Sequence, residues 1–147
     1  MISYLLLTSS DVDECAELYI LTYKEKPWSE EWNSSQPIKT FIRIHLQNNF
    51  FKGFIMKINE QIIGVCIGFQ KPWPMGIEYY IDEFFIHPAF QGKGFGKKFM
   101  TEIEKYCLND GLNAILLNTQ KGYKSETFYK NNGFSEHNGL IILSKDL

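Results

Sequence analysis

The glycine-rich heptad Gln91–Lys97 combines residue types and a spacing that suit phosphate binding. It reads QGKGFGK, and the lysines at 93, 97 and 98 have no acidic neighbour between Gln91 and Thr101. Glycines allow a sharp turn and let backbone N–H groups approach a ligand closely. A turn before a helix also lies at the positive end of the helix dipole, where phosphate binds. The heptad therefore predicts a phosphate site, and a plain tight turn is the alternative.

The spacing of the glycines excludes two common phosphate motifs. A P-loop needs four residues between its first glycine and a Gly-Lys-Ser/Thr ending, and the dinucleotide fingerprint needs its third glycine one residue after Gly96. The heptad instead matches Gln/Arg-x-x-Gly-x-Gly at Gln91, Gly94 and Gly96. This pattern resembles the acyl-CoA-binding signature of the GNAT superfamily of N-acetyltransferases.

A second segment, Phe128–Phe134, resembles another GNAT signature, an aromatic or aliphatic residue followed by Tyr-x-x-x-Gly-Phe. In the family the tyrosine faces the CoA sulfur and acts as a general acid, so the resemblance implies this role for Tyr129. An aromatic pair before a glycine is by itself typical of a core. The two motifs at the right separation favour the functional interpretation.

The strand-like run 79–86 leads into the heptad. Regular alternation places Tyr80, Asp82, Phe84 and Ile86 on one side and Glu83 and Phe85 on the other. In the family this strand pairs with the pantetheine arm, and a backbone N–H near Phe84 would stabilise the oxyanion. The resemblance thus implies one set of cofactor-binding residues: Phe84, Phe85, Ile86, Gln91, Gly92, Lys93, Gly94, Phe95, Gly96 and Lys97.

A general base is expected on the same strand, because only the neutral form of an amine attacks a thioester. Counted back from Gln91, Asp82 lies where several aminoglycoside-type members of the family carry theirs, so Asp82 is the first candidate. Glu83 is the second, since alternation directs it elsewhere unless a β-bulge intervenes. An ordinary polar contact at the cleft edge remains the alternative for Asp82.

The acceptor would enter over the first two helices and their connection. Trp28, Trp32 and Tyr80 are the predicted substrate-binding residues, with Glu30 and Glu31 beside the tryptophans. Aromatic faces and acids suit a cationic amine through cation–π and charge contacts. Two tryptophans packed onto the core are the alternative.

Hydrophobic periodicity supplies the elements that would position these residues. We expect strands at 2–7, 51–58, 62–69, 77–86, 114–119 and 139–144, and helices at 12–23, 37–47, 95–108 and 125–131. Ser10 and Asp13 are the expected start signal of the first helix. The order β-α-α-β-β-β-α-β-α-β predicts a mixed α/β sheet in one domain spanning 1–147. The GNAT fold has this order, and the resemblance implies a sheet that splays open in its middle.

Net charge, hydropathy and cysteine content limit the kinds of partner and compartment that the sequence predicts. A net charge of −2 over 147 residues argues against nucleic acid, and no apolar run approaches the ~18 residues of a membrane span. Three scattered cysteines lack metal-like spacing and fit a reducing compartment. No His/Asp/Glu cluster suggests a metal, and the opening residues lack a basic n-region. We therefore expect a cytoplasmic protein without a metal.

The function implied by the resemblance is transfer of an acetyl group from acetyl-CoA to a primary amine of a small molecule. Direct attack in a ternary complex would need no covalent enzyme intermediate. A protein or peptide N-acetyltransferase and a non-catalytic acyl-CoA-binding regulatory module are the alternatives. Homodimers are common in the family, but the sequence defines no interface.

Overall fold

A five-stranded sheet in the order β1-β2-β3-β4-β5 lies at the centre of the computed structural model, which describes residues 1–147. β1 to β4 pair antiparallel, and β5 pairs parallel to β4. The strands are β1 Ile2–Leu6, β2 Phe51–Ile58, β3 Gln61–Trp73, β4 Gly76–Ile86 and β5 Ala114–Leu117. The predicted mixed α/β sheet is confirmed.

Four α-helices cover the sheet: α1 Val12–Tyr23, α2 Gln36–Leu46, α3 Phe95–Asn109 and α4 Lys124–Asn131. Two apolar clusters define the layers. In the first, α1 and α2 pack on one face through residues such as Cys15 and Ile42. In the second, α3 packs on the opposite face through Phe99 and Ile103, and Tyr129 of α4 joins it. The sheet therefore separates two cores.

Several boundaries differ from the expected ones. α1 follows a 3-10 turn at Ser9–Asp11 in which the Asp11 carboxylate accepts from the Thr8 N–H at 2.9 Å, so Thr8 and Asp11 mark the start, not Ser10 and Asp13. β3 and β4 continue past the expected break at 71–76 into a long hairpin. The predicted last strand at 139–144 is wrong, because residues 140–147 form neither strand nor helix.

A β-bulge interrupts the pairing of β3 with β4. Ile67 pairs with Glu83 and the next residue, Gly68, pairs with Ile81, so Asp82 is the extra residue. Gly68 lies at this irregularity, and a Cβ there would collide with the Tyr80 carbonyl oxygen. Bulges bend a strand and redirect its side chains. The bulge therefore breaks the regular alternation that the sequence predicts for this strand.

The contact between β4 and β5 is short. It runs from Glu78 opposite Ala114 to Ile81 opposite Leu117, and β4 then continues to Ile86 without a partner on that side. The gap begins at the bulge. An opening in the sheet is thus present beside the end of β5, and both predicted base candidates lie at its edge.

Candidate active site

The glycine-rich turn forms an open cradle of backbone donors. A 3-10 turn at Pro88–Phe90 follows β4, and the Gln91 side-chain amide donates to the Ile86 carbonyl oxygen at 2.8 Å, which ties the turn back to the strand. No backbone N–H from Gly92 to Lys97 has a hydrogen-bond acceptor within the chain. Because these donors lie just before α3 and in its first turn, they are at the positive end of the helix dipole.

The glycines of the turn have different physical roles. Gly92 and Gly94 have φ values of 72° and 85°, in the left-handed region where glycine is favoured, and Gly94 is the N-cap residue of α3. A Cβ at either would meet nothing within 4 Å, so the space above the turn is open. A Cβ at Gly96 would lie 2.9 Å from the Phe128 ring, so Gly96 allows α3 and α4 to pack closely.

A pocket of about 270 Å³ lies where the pairing of β4 with β5 ends. Its lining includes Asp82, Glu83 and Phe84 from β4, together with Tyr129 from α4. The first helix and the loop after it contribute further lining residues, namely Tyr19, Tyr23, Trp28 and Glu30. The structure thus brings the predicted acid and both predicted bases to one pocket.

Asp82 and Glu83 point to the same face of the sheet, contrary to the predicted alternation. Glu83 accepts a hydrogen bond from the Tyr23 hydroxyl of α1 at 2.8 Å, and Asp82 contacts Nε2 of His45 in α2 at 2.8 Å. Phe84 and Ile86 belong to the opposite cluster, so the expectation that Asp82 shares their side is wrong. The bulge at Asp82 is the physical reason.

The environments of the two carboxylates differ. Burial raises the pKa of Glu83 to about 7, and the negative charges of Asp82 and Glu30 act in the same direction, whereas the Tyr23 hydrogen bond lowers it. The Asp82 side chain is 41% exposed and pairs with His45. A carboxyl group whose pKa lies near neutrality suits proton transfer at physiological pH.

Tyr129 is buried, and its ring contacts Phe84 at a centroid distance of 6.2 Å. Its hydroxyl lines the pocket and makes no hydrogen bond within the chain. Burial raises the pKa of this phenol above its usual value, with the nearby Cys66 and Glu83 adding to the shift. Tyr129 therefore stays protonated at neutral pH and has a proton to donate.

The other predicted cofactor-binding residues divide between the turn and the two cores. Phe85 is buried in the cluster under α1 and α2, whereas Ile86 is buried on the α3 side. Lys93 donates to the Ala89 carbonyl oxygen at 3.0 Å, and Lys97 is exposed. Phe95 opens α3 and packs on Phe90. Of the predicted cofactor-binding residues, Phe84 alone lines the pocket.

Of the predicted substrate-binding residues, Trp28 alone lines the pocket, where it packs edge-on against Tyr23 and Tyr123. Trp32 lies outside the pocket and donates to Glu30 at 3.0 Å. Tyr80 lines a neighbouring groove, and its hydroxyl accepts from Asn118 at 2.9 Å.

Sequence reasoning missed the polar roles of Tyr23 and His45, because both lie at apolar positions of amphipathic helices. The three cysteines are buried, and burial raises the pKa of the Cys15 thiol to about 12. No group of three His, Cys, Asp or Glu side chains is arranged to hold a metal ion. None of the helices is long and apolar enough to cross a membrane.

A mixed sheet that opens beside a phosphate-type turn, with a carboxylate and a tyrosine at the opening, defines the class of acyl-CoA-dependent acyltransferases. Sequence comparison agrees: the Acetyltransferase (GNAT) family matches residues 13–134. The chain therefore belongs to the GNAT family and is an acetyltransferase, which confirms the resemblance seen in the two motifs.

Similar proteins include one curated relative and many solved structures. The uncharacterized N-acetyltransferase YhfO of Bacillus subtilis is 25% identical over 113 residues, which cover 72% of this chain and 73% of the relative. The aminoglycoside acetyltransferase AAC(6')-Iy in complex with a CoA-linked acetylneamine analogue is 15% identical with a TM-score of 0.76, covering 100% of this chain and 99% of that one. A ribosomal-protein-alanine N-acetyltransferase from Brucella melitensis is also 15% identical, with a TM-score of 0.78 and 99% of each chain covered.

Proposed function

We propose that this protein transfers the acetyl group of acetyl-CoA to a primary amine of a small cationic molecule, by direct attack in a ternary complex. The observation that carries the proposal is the pocket at the opening of the sheet, where Glu83 and Tyr129 meet. The amine nitrogen attacks the thioester carbon, the carbon–sulfur bond breaks, and CoA leaves as the thiol.

The turn at 92–97 supports binding of the CoA pyrophosphate. Its free N–H groups fit an anion, because hydrogen bonds to a charged partner contribute roughly 1.5–3 kcal/mol each. The open space above Gly92 and Gly94 leaves room for phosphate oxygens. The unpaired edge of β4 from Asp82 to Ile86 would hold the pantetheine arm, with an N–H near Phe84 as donor to the oxyanion.

We assign the base to Glu83 and not to Asp82, the first candidate from the sequence. Glu83 is half-buried, whereas Asp82 is exposed, and the Glu83 pKa of about 7 lets this carboxyl group both ionise and accept a proton near neutrality. Tyr23 orients the carboxylate through its hydrogen bond. Asp82 keeps an electrostatic role beside the site, because its pairing with His45 leaves it less free to accept a proton.

Tyr129 is the proposed general acid. Its free hydroxyl lines the pocket, and its raised pKa keeps the proton available until the sulfur develops negative charge. A CoA thiol has a pKa near that of cysteine, about 8.5, which lies below that of the phenol, so Tyr129 acts by donating a hydrogen bond to the sulfur as negative charge develops there, and any proton that it transfers is regained from solvent. Glu83 accepts the proton of the amine, and Tyr129 stabilises the departing sulfur.

The lining of the pocket supports a cationic acceptor. Glu30, Asp82 and Glu83 line it together with aromatic faces, and no lysine, arginine or histidine does. An ammonium group is stabilised by such carboxylates and by the face of Trp28. The aminoglycoside acetyltransferase among the similar structures binds an analogue that links CoA to acetylneamine. We infer a cytoplasmic enzyme without nucleic-acid or membrane partners, and with a homodimeric assembly.

Calorimetry with acetyl-CoA tests the cofactor site first. Gly94→Glu should abolish binding, and Gly111→Glu is the matched control, because Gly111 flanks the other end of α3 with a similar φ of 82° and open space around it. Equal loss in both variants would mean that strain, not the turn, is responsible. Retained affinity in Gly94→Glu would remove the turn from the site.

An amine panel, followed by release of free thiol, tests the acceptor. Small polycations should be acetylated, and peptides that present an N-terminal amine or a lysine should not. The reverse pattern would favour the protein N-acetyltransferase, and acetyl-CoA binding without turnover of any amine would favour the regulatory module.

Glu83→Gln should lower kcat by about 10²–10⁴-fold and Asp82→Asn by less than about tenfold. A larger loss of kcat in Asp82→Asn than in Glu83→Gln would instead assign the role of general base to Asp82.

A further inference from the structure

The extra residue of the β-bulge has no partner on either neighbouring strand. The register of β3 with β4 skips from Ile81 to Glu83, and the register of β4 with β5 ends at Ile81. Asp82 therefore falls outside both pairings, as the extra residue of a bulge does. A contact other than strand pairing has to fix the position of Asp82.

His45 of α2 supplies this contact. Its Nε2 lies 2.8 Å from a carboxylate oxygen of Asp82, and this is the only hydrogen bond that the Asp82 side chain makes within the chain. A carboxylate accepts hydrogen bonds and does not donate them, so Nε2 of His45 is the donor. The helix thus holds the residue of β4 that β3 and β5 both leave unpaired.

Packing fixes the His45 ring in the orientation that this contact needs. The side chain is 12% exposed, and its ring lies edge-on to Phe41, one turn earlier on α2, at a centroid distance of 4.8 Å. Phe51 at the start of β2 lies 6.3 Å from the same ring. Because packing already immobilises the ring, the hydrogen bond costs little further conformational entropy. Asp82 is therefore held by a group that is more rigid than itself.

The two carboxylates at the bulge are each held by a different helix. Tyr23 of α1 donates to Glu83 at 2.8 Å, and His45 of α2 donates to Asp82 at the same distance. Because Asp82 and Glu83 are consecutive residues, a shift of the unpaired Asp82 would also displace the Glu83 carboxylate. A displacement of about 1 Å in a catalytic group can lower the rate by about 10²-fold.

We propose that His45 is a positioning residue of the active site, which holds the bulge at Asp82 and thereby fixes the direction of the Glu83 carboxylate. The proposal rests on the proposed function, in which Glu83 is the base. His45 does not line the pocket, so it acts through Asp82 and not on the substrate. A histidine whose only role is to fill the core would affect stability without a separate effect on kcat.

Two substitutions of His45 separate positioning from packing. His45→Leu keeps apolar contact with Phe41 and Phe51 but removes the donor, so the melting temperature should be kept, because an apolar residue often replaces a buried polar pair without loss of stability. Its kcat should nevertheless fall by about 10–100-fold. His45→Gln can still donate from its side-chain amide, so it should recover most of this loss. Acetyl-CoA affinity by calorimetry should be native in both variants.

The kcat values are compared at about pH 9, where Glu83, with its pKa of about 7, is almost fully ionised. The charge of residue 45 then no longer changes the ionised fraction of Glu83, and the remaining difference reports the position of the carboxylate. Arg43→Gln is the matched control, because Arg43 lies in the same last turn of α2 and pairs with Asp13 at 3.9 Å, away from the bulge. It should keep native kcat.

A double-mutant cycle tests whether His45 acts through Asp82. Asp82→Ala removes the acceptor of the hydrogen bond, whereas Asp82→Asn keeps an oxygen to which His45 can donate. His45→Leu should therefore cause no further loss of kcat in the Asp82→Ala background. Additive losses would overturn the proposal, as would equal losses of kcat in His45→Leu and His45→Gln or a loss that follows the melting temperature.

Hydrogen exchange tests the bulge without reference to catalysis. The backbone amides of 82–84 should exchange faster in His45→Leu than in the native protein, and at the native rate in His45→Gln, because only the first variant releases Asp82. Native exchange rates in His45→Leu would contradict the proposal. A native protein that transfers no acetyl group would mark a failure of the proposed function instead, and the exchange rates would still decide whether His45 holds the bulge.

Discussion

Tyr23→Phe is the substitution that most directly tests the proton-accepting role of Glu83. It removes the hydroxyl that donates to the Glu83 carboxylate at 2.8 Å and keeps the ring that packs on Tyr19 and Phe85. A hydrogen bond to a charged group is worth roughly 1.5–3 kcal/mol, and one pKa unit corresponds to about 1.4 kcal/mol. Water from the open pocket replaces part of this stabilisation, so we expect the pKa of Glu83 to rise by about one unit.

The direction in which the pH–rate profile shifts follows from the protonation state in which Glu83 acts. The carboxylate accepts the proton, so the rate rises as pH passes its pKa of about 7, and Tyr23→Phe moves this rise to higher pH. At pH 7 the ionised fraction should fall from about one half to about one tenth, a loss of about fivefold in kcat/KM. The loss should approach tenfold at low pH and vanish above about pH 9.

The assay is the ratio of kcat/KM between variant and native enzyme across the pH range. The titration of the substrate amine is common to both proteins and cancels in the ratio. Tyr106→Phe is the control, because Tyr106 lies on α3 and its hydroxyl makes no hydrogen bond. A ratio that is the same at pH 6 and pH 9 would refute the reasoning, and Tyr23 would then contribute packing alone.

Three further results are expected. Glu83→Gln should raise the free energy of unfolding at pH 8 by roughly 3 kcal/mol in chemical denaturation, because the folded protein no longer holds a half-buried carboxylate whose pKa is raised from 4.5 to about 7. The gain should disappear below about pH 4, and an unchanged pH dependence of stability would contradict this prediction. Tyr129→Phe should lower kcat by about 10–10³-fold with acetyl-CoA affinity unchanged by calorimetry, and native turnover would remove Tyr129 from the mechanism. Gly68→Ala should lower both the melting temperature and kcat, because its Cβ would displace the Tyr80 carbonyl at the bulge; native kcat would show that the bulge is not needed.

The parts of the fold that local patterns determine could be predicted from the sequence. The motif at Gln91–Gly96 predicted a turn into α3, and the periodicity of α1 and α3 predicted helices close to the observed ones. The bulge could not be predicted in the same way. It depends on a register shift between β3 and β4, and Gly68, which permits it, lies far from Asp82 in the sequence. Strict alternation therefore placed Asp82 on the wrong face.

The last strand was mispredicted for a related physical reason. Residues 139–144 have the β-branched and aliphatic composition of a strand, but composition does not specify the partner to which a strand pairs. Within one chain the β5 edge stays open and the segment stays exposed. Similarly, the hydroxyl of Tyr23 matters only because α1 crosses the bulge, which is a tertiary relation that helical periodicity does not contain.

The division of the molecule into two cores has a consequence for how the enzyme can evolve. Glu83 is held by Tyr23 from the cluster beneath α1 and α2, whereas Tyr129 belongs to the cluster beneath α3. Substitutions in one cluster will therefore adjust the acceptance of a new amine, and substitutions in the other will adjust the handling of the thioester. Changes within the two clusters that lie away from the shared pocket should combine nearly additively, because the sheet stands between them. The two halves of the reaction can then be altered by separate mutations, so a new acceptor can be acquired while the use of the acyl donor is kept.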